Sequence, residues 1–196
     1  MYFSPIVEGH GEVDAVPVLI RRIAIEKKNA YPTVGFPYRV RASSFLNFGD
    51  EFRKAILLMA AKASENDGIV LIILDCEDNC PAVLGPQILA NAKLLRDDIT
   101  YVVCLANREY ETWFKFAAAS LAGKFGLPNN LVMPNNPEGN RDAKGWFGSL
   151  MPNGYKETSH QVSFTAEIDL DQASRSPSFS RLVSKLSHFL DSTSSP

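Results

Sequence analysis

The sequence predicts an α/β protein in which a central parallel sheet of about four strands carries helices on both faces. The clearest observation is Ile69 to Leu74, a run of apolar and mostly β-branched residues. Such a run indicates a strand buried on both faces, which is typical of a parallel sheet packed between helices. A second observation is that short apolar runs alternate with helical periodicity through residues 1–125. This alternation predicts repeated strand–helix units.

The first predicted unit contains a glycine-bearing turn. Tyr2 to Val7 is short and apolar, and Gly9 and Gly11 come soon after it. Apolar residues then recur at mainly helical spacing from Glu12 to about Lys27, which predicts a helix there. Pro17 falls within this stretch and cannot donate a helical hydrogen bond, so it marks either the first turn or a kink.

Three further units complete the predicted alternation. Their strands and helices are Tyr38 to Ala42 with Asp50 to Ala63, Ile69 to Leu74 with Gln87 to Leu95, and Thr100 to Ala106 with Glu109 to Ala122. In the last helix, Trp113, Phe114 and Phe116 are expected to pack the helix onto the sheet, which is favoured over a base-stacking role.

A change of composition after residue 125 separates the predicted core from a C-terminal extension. Proline and asparagine are frequent in the first part of the extension, which indicates a loop. Asp142 to Met151 and Ser178 to Leu190 are predicted helices, while Phe164 to Leu170 fits either type of element. We expect one domain over residues 1–191, with a core at 1–125, an extension at 126–191 and a disordered tail at 192–196.

Composition and charge limit the classes of protein to which the chain belongs. Its net charge of -2 argues against a protein that coats nucleic acid through overall charge, although a local basic strip is compatible with it. No apolar run approaches the roughly 20 residues of a membrane-spanning helix, and the N-terminus lacks a secretory pattern. The cysteines and histidines form no paired zinc-ligand spacing. We therefore expect a cytoplasmic protein with reduced thiols and no membrane partner.

Acidic residues follow three of the predicted strands. Glu8 follows the first, Asp75, Glu77 and Asp78 follow the buried strand, and Glu109 and Glu111 follow the last. Because ligands bind at the carboxyl ends of parallel strands, we expect these side chains to converge. Clustered carboxylates repel one another unless a cation neutralises them, and Mg²⁺ and Mn²⁺ prefer carboxylate oxygen. The pattern therefore predicts a divalent metal site.

Each of these residues also has a purely structural explanation. Glu8 and Glu12 are of the kind that caps a helix or stays solvated, and the acidic segment after the buried strand could be a polar loop. On a helix, Glu109 and Glu111 would point about 200° apart, so one of them is expected to face solvent. His10 is either a proton donor or, more simply, an exposed turn histidine.

Two motifs resemble those of the TOPRIM superfamily, which includes topoisomerases, primases and overcoming-lysogenization-defect nucleases. Val7-Glu8-Gly9, with Glu12 four residues after Glu8, resembles the opening motif. The segment Asp75-Cys76-Glu77-Asp78 resembles the Asp-x-Asp motif that follows a buried strand. Here Glu77 stands where the second Asp is usual, and Asp78 is the alternative second ligand.

Later segments resemble one branch, a TOPRIM-like family of compact bacterial proteins described as domain of unknown function 4276. These segments are Glu109-Tyr110-Glu111-Thr112-Trp113-Phe114, then Lys144, Tyr155 and Ser176-Pro177-Ser178-Phe179. The resemblance covers nearly the whole chain. It implies a TOPRIM-like, Rossmann-like fold and metal-dependent phosphodiester chemistry.

The resemblance also implies roles for individual residues. Glu8 would be the general base or a metal ligand, and Asp75 with Glu77 would hold Mg²⁺ or Mn²⁺. Glu12 would complete a second metal site of a two-metal mechanism. Lys144 would stabilise phosphate charge, although a solvated surface lysine is the simpler explanation. The implied function is a nuclease that acts on nucleic acid in bacterial defence, beside an ATPase partner.

Two other functions stay open at this point. A non-catalytic interaction subunit of the same fold is favoured by the departure from Asp-x-Asp and by the acidic net charge. A phosphohydrolase acting on a small nucleotide would use the same metal site. Basic residues that could contact phosphates are scattered by helical periodicity; they are Arg21, Arg22, Lys27, Lys28, Arg39, Arg41 and Arg141.

Overall fold

The strands pair in parallel within one sheet, as the sequence predicts. A computed structural model describes residues 1–139 and 141–192 of the chain. Its strands are β1 (Tyr2–Val7), β2 (Thr33–Val34), β3 (Tyr38–Arg39), β4 (Ile69–Asp75) and β5 (Tyr101–Ala106). Their order is β2-β1-β4-β5, and β3 also pairs with β1. The predicted α/β class and its parallel sheet are confirmed.

Helices follow the strands and cover both faces of the sheet. They are α1 (His10–Lys28), α2 (Ala42–Phe45), α3 (Asp50–Glu65), α4 (Pro81–Leu95), α5 (Thr112–Phe116), α6 (Ala143–Leu150), α7 (Glu157–Glu167), α8 (Leu170–Ala173) and α9 (Pro177–Ser192). A short 3-10 turn, Ala118–Leu121, follows α5. Among the described residues, no helix is both long and apolar enough to cross a membrane.

The apolar run of β4 is explained by burial on both of its faces. Ile69, Leu71 and Ile73 belong to a hydrophobic cluster that includes residues of α1, α7 and α9. The alternate residues of β4 point the other way, into a second cluster that includes residues of α3 and α4. A strand of this kind needs apolar side chains at every position, since neither face is solvated.

The connections place a topological switch point between β1 and β4. From β1 the chain moves to β2 and β3 on one side, and then crosses to β4 and β5 on the other side. The two strands are in direct register, with Ile6 opposite Ile72. In open α/β sheets, ligands bind outside the carboxyl ends of strands at such a point. Glu8 and Asp75 both lie there.

Several predicted boundaries need correction. The first helix begins earlier than predicted, at His10, and continues through Pro17, which lies inside α1. The strand predicted at Tyr38 to Ala42 ends at Arg39, because the chain turns into α2 at Ala42.

The helix predicted from Glu109 to Ala122 is wrong at its start, since Glu109 and Glu111 precede α5. The backbone N–H of Tyr110 donates to the carboxylate of Asp75, with N and O 2.7 Å apart, and this N–H therefore makes no helical bond. Trp113 and Phe114 are buried, as expected for packing residues.

The extension joins the core through shared apolar packing. Its helix α7 was not predicted, because its first turns are polar and only Phe164 is a fully buried apolar residue within it. Phe164 belongs to the same hydrophobic cluster as α1. The last helix ends at Ser192, and the rest of the predicted tail, residues 193–196, lies outside the described part of the chain.

Candidate functional site

A cavity of about 590 Å³ opens at the carboxyl ends of β1 and β4. Among the described residues, it is lined by Glu8, Gly9, Glu12, Asp75, Glu77, Asp78, Arg108, Glu109, Arg141, Asp142, Lys144 and Glu157. Carboxylates outnumber cations in this lining. We refer to this feature as the acidic cavity.

Hydrogen bonds hold the loops after β4 and β5 together on one side of the acidic cavity. The N–H of Cys76 donates to the carbonyl of Ala106 over 2.9 Å, and that of Glu77 donates to the carbonyl of Arg108 over 3.0 Å. Asp75 accepts the N–H of Tyr110 through Oδ1. The pairing of β4 with β5 therefore continues past the strand ends, which fixes the position of Asp75.

The backbone is strained at three residues that line the acidic cavity. Glu77, Arg108 and Asp142 have φ values of 47°, 65° and 63°. This left-handed region is sparsely populated by residues other than glycine, and each such residue costs on the order of 1–3 kcal/mol. Strain of this kind clusters at functional sites, where the surrounding structure maintains it.

Three neighbouring carboxyl groups, two that line the acidic cavity and that of Glu111 near Lys144, have raised pKa values. Glu12 is 2% exposed, and burial together with repulsion from Glu111 and Glu8 raises its pKa to about 8. Burial raises the pKa of Glu111 to about 7. The pKa of Asp75 is raised well above its ordinary value by burial, and then by repulsion from Glu12 and Glu111. The charge of Lys144 lowers the pKa values of Asp75 and Glu111 but offsets only part of these effects.

Some carboxylate oxygens here accept no hydrogen bond from the described residues. They are Oε2 of Glu8, Glu109 and Glu111, and all three atoms are buried. The other oxygen of Glu111 accepts from the hydroxyl of Tyr155 over 3.1 Å and from the amide of Gln161 over 3.3 Å. A buried acceptor without a partner costs about 1–3 kcal/mol, so each one is a position at which a ligand or ion would be stabilised.

Three cations, Lys144, Arg108 and Arg141, line the acidic cavity among the described residues. Lys144 donates to Glu157 over 2.9 Å and lies 4.0 Å from the nearer oxygen of Glu111. Burial opposes ionisation of Glu157, but the hydrogen bond and charge of Lys144 lower its pKa overall. Arg108 lies 3.1 Å from Asp78, and Arg141 pairs with the same carboxylate. Lys144 is therefore not an isolated surface lysine.

The donor set fits a hard divalent ion in its chemistry. Glu8, Glu12 and Asp75 offer only oxygen, and burial followed by repulsion from neighbouring carboxylates raises their pKa values. As the side chains lie, however, the described residues contain no group of three or more His, Cys, Asp or Glu placed to hold one ion. Asp75 and Glu12 each accept a backbone N–H instead. Metal binding would therefore require side-chain rotation within the acidic cavity.

The structure brings together most of the residues that the sequence analysis selects. Glu8, Glu12, Asp75, Glu77, Asp78, Glu109 and Lys144 line the acidic cavity. Glu111 is fully buried and does not line the cavity, whereas Glu109 is partly exposed and lines it, so of the pair only Glu109 reaches the open side. His10 is exposed and lines a separate depression beside Val13 and Phe36, so the structure does not bring it into the cavity.

The sequence analysis missed Glu157, Arg108 and Asp142. Glu157 lies in the first turn of the unpredicted helix α7, so nothing local connects it to Glu8. Asp142 caps α6 by accepting the N–H of Gly145, which is a recognisable signal at the start of a helix. Arg108 comes two residues after the end of β5, so its position at the carboxyl end of a predicted strand could have identified it.

Gly11 lets α7 approach α1 closely enough to place Glu157 at the cavity. A Cβ atom at this position would lie 2.6 Å from the carbonyl oxygen of Glu157 and would also overlap Oε1 of Gln161. We expect Gly11→Ala to lower the free energy of unfolding by about 2 kcal/mol, despite the higher helix propensity of alanine.

The matched control is Gly148→Ala in α6, where the nearest atom would be 3.5 Å away. It should stabilise by up to about 1 kcal/mol in the same thermal melt. Equal effects of the two substitutions would contradict this assignment.

Comparison with known proteins adds no relative: no family model, no curated protein and no solved structure matches the chain.

Proposed function

We propose that this chain is a Mg²⁺- or Mn²⁺-dependent phosphodiester hydrolase of TOPRIM type that acts on nucleic acid in the acidic cavity. The observation that carries the proposal is the convergence of Glu8, Glu12 and Asp75 in one cavity at the switch point of the sheet, where burial and repulsion between carboxylates raise their pKa values. Strongly perturbed carboxylates in a cleft are typical of functional sites. The TOPRIM-like spacing of the same residues supports this chemistry.

Asp75 and Glu77 would hold the first ion, Glu12 would contribute to a second, and Glu8 would be either a further ligand or the general base. Asp78 is the weaker candidate for a ligand, because it is paired with Arg108 and Arg141. Glu109 and Glu157 also line the cavity and would act as accessory acceptors. When bound, the ion supplies Lewis-acid stabilisation of the charge that develops on the phosphoryl oxygens.

The protein's own groups would handle the proton and the substrate charge. Burial and the charge of Glu77 raise the pKa of Glu8, and a carboxylate with a raised pKa is a better general base for an attacking water. Its buried Oε2 accepts no hydrogen bond from the described residues. Lys144 and Arg141 would attract the phosphate, since both are cations that line the cavity.

A small phosphate ester is the second candidate substrate. The cavity volume of about 590 Å³ lies within the range of small-molecule sites, which is about 300–1,000 Å³. A single nucleotide would therefore fit inside the acidic cavity, and its binding would not need an extended surface for a polynucleotide. The chemistry would be the same, so the two candidates differ only in the substrate that is turned over.

The test is cleavage by the purified protein in the presence of Mg²⁺, Mn²⁺ or EDTA. The substrates are supercoiled plasmid, single-stranded DNA, single-stranded RNA and a panel of nucleotides. Metal-dependent cutting of a polynucleotide supports the nuclease, and turnover of nucleotides alone supports the small phosphohydrolase. No turnover of any substrate, by protein that binds the metal, would contradict both and favour a non-catalytic interaction subunit.

Arg141 should contribute to substrate binding through charge alone. We expect Arg141→Ala to raise KM for a nucleic-acid substrate by about tenfold at low salt, and to make binding less salt-dependent, because one phosphate contact is lost. Arg21→Ala is the matched control, since Arg21 is exposed on α1 and does not line the cavity. KM measured over a range of KCl concentrations checks this, and equal effects of the two variants would contradict it.

A further inference from the structure

The strand β5 forms an edge of the sheet that lies open between two helices. Among the described residues it pairs only with β4. A groove of about 730 Å³ runs along its outer side, between α4 and α9. We refer to this feature as the edge groove. It lies away from the acidic cavity, and the two share none of their described lining residues.

The hydrogen bonds of β5 show which backbone groups face the edge groove. Val70 donates to the carbonyl of Thr100 over 3.0 Å, and Cys76 donates to that of Ala106 over 2.9 Å. The backbone N–H and carbonyl groups of the even-numbered residues, from Thr100 to Ala106, therefore point to β4. The backbone N–H and carbonyl groups of the odd-numbered residues Tyr101, Val103 and Leu105 point outward, since these groups alternate in direction along a strand.

One side chain partly covers this edge. Lys185 of α9 donates to the outward carbonyl of Val103 over 2.7 Å. This bond confirms that Val103 faces outward. Proteins commonly place a lysine on an edge strand, because it discourages uncontrolled pairing with other strands. A single flexible lysine can also move aside when a strand with matching charge arrives.

The two walls of the edge groove differ in chemistry. The α4 wall is apolar and includes Ala82, Pro86 and Leu89. The α9 wall carries Arg181, Lys185 and His188, together with two serines and the partly buried Phe189. No aspartate or glutamate occurs among the described residues that line the groove. The α4 and α9 walls lie on opposite faces of the sheet, because they pack into different hydrophobic clusters.

We propose that the edge groove binds an extended segment of a partner protein as an additional strand, in which apolar side chains alternate with acidic ones. Successive side chains of an added strand point to opposite faces of the sheet. One set would therefore meet the apolar wall of α4, and the other would meet the cations of α9. A backbone N–H of the added strand would donate to the carbonyl of Val103 in place of Lys185. Lys185 would then be able to pair with a carboxylate of the added strand.

A second copy of this chain fits the edge groove less well. Pairing two β5 strands would bring Arg181 and Lys185 of both copies to the same junction, and β5 itself carries no carboxylate to neutralise them. Like charges placed close together destabilise strand pairing. An acidic partner segment removes that repulsion.

Fluorescence anisotropy with a labelled peptide of alternating glutamate and valine tests the proposal. We expect saturable binding that is at least about tenfold tighter than that of a peptide with lysine in place of glutamate. The double variant Arg181→Glu with Lys185→Glu should weaken binding by at least about tenfold. Arg21→Glu with Arg53→Glu makes the same change of net charge on exposed helix positions elsewhere, and should leave binding unchanged.

Val103→Pro tests the strand-like mode of binding directly. Proline removes the outward N–H of Val103 without removing a bond to β4, so the fold should survive. We expect this variant to lose peptide binding while its cooperative thermal melt remains. The proposal is overturned if both peptides bind equally, if the charge reversal has no effect, or if sedimentation shows that the groove is instead closed by a second copy.

Discussion

Asp75→Asn is expected to lower metal-dependent hydrolysis by at least about 10³-fold, since the central ligand is lost while the fold is kept. Asparagine has nearly the same shape as aspartate, and its side-chain oxygen can still accept the N–H of Tyr110. The loop after β4 should therefore keep its position. The measurement is the initial rate of cleavage of the best substrate under saturating Mg²⁺.

The same substitution should stabilise the protein when metal is absent. Burial and repulsion from Glu12 and Glu111 raise the pKa of Asp75, so its ionised form destabilises the folded state. We expect Asp75→Asn to raise the free energy of unfolding by about 1–2 kcal/mol at pH 8 in EDTA, and Tm by about 2–8 °C. A residue needed only for structure would show the opposite sign.

Asp97→Asn is the matched control for both measurements. Asp97 is exposed and precedes β5, at the amino end of the sheet, so it lies far from the acidic cavity. It should change neither the rate nor Tm. Full activity of Asp75→Asn, or a loss of stability comparable to that of a core substitution, would contradict the role given to Asp75.

The metal-free protein should lose stability as the pH rises from about 4.5 to about 8. The folded state raises the pKa of Glu12 from its ordinary value of 4.5 to about 8, and that of Glu111 to about 7. Within this window the unfolded chain has released protons that the folded chain still binds. The free energy of unfolding therefore falls with rising pH. For each group, the full loss is about 1.4 kcal/mol per unit by which folding raises its pKa, and it is reached once the pH exceeds the folded-state pKa.

Other titrating groups act in a different window or in the opposite direction. The pKa values of Asp98 and Glu167 are lowered by hydrogen bonds to Arg96 and Lys124, so their contribution is lost only as the pH falls below about 4.5. Burial lowers the pKa of His160, which adds stability as the pH rises through about 6.5. His160 is partly exposed, so its effect should be the smaller one.

Mg²⁺ should remove most of this pH-dependent loss, because a bound cation lowers the pKa of the carboxyl groups around it. Thermal melts in EDTA and in about 10 mM Mg²⁺, at intervals between pH 5 and pH 8, check the prediction. We expect Tm to fall by about 5 °C or more in EDTA, and to fall much less in Mg²⁺. Parallel curves in the two conditions would show that the carboxylates do not bind the ion.

The positions of Glu8 and Asp75 could be predicted because each follows a strand that is identifiable from its own residues. An apolar run such as Ile69 to Leu74 indicates a doubly buried strand wherever it occurs, and the residue at its end lies at the ligand-binding edge. The parallel sheet and the convergence of these two carboxylates follow from local patterns and a general rule of topology.

The placement of Glu111 and Glu157 could not be predicted in the same way. The N–H of Tyr110 is diverted to the carboxylate of Asp75, so the chain around Glu111 does not continue as the regular helix that its composition favours. Glu157 reaches the cavity because α7 packs closely against α1 at Gly11. Both outcomes depend on tertiary contacts between segments far apart in the chain, which override local propensity.

Binding of Mn²⁺ to wild type and to Asp75→Asn, followed by electron paramagnetic resonance of the free ion, tests the metal site most directly. We expect saturable binding to the wild-type protein, an affinity at least about tenfold lower for Asp75→Asn, and an unchanged affinity for Asp97→Asn. Absence of saturable binding to the wild type, or equal binding to all three proteins, would contradict the metal-dependent site at the carboxyl ends of β1 and β4.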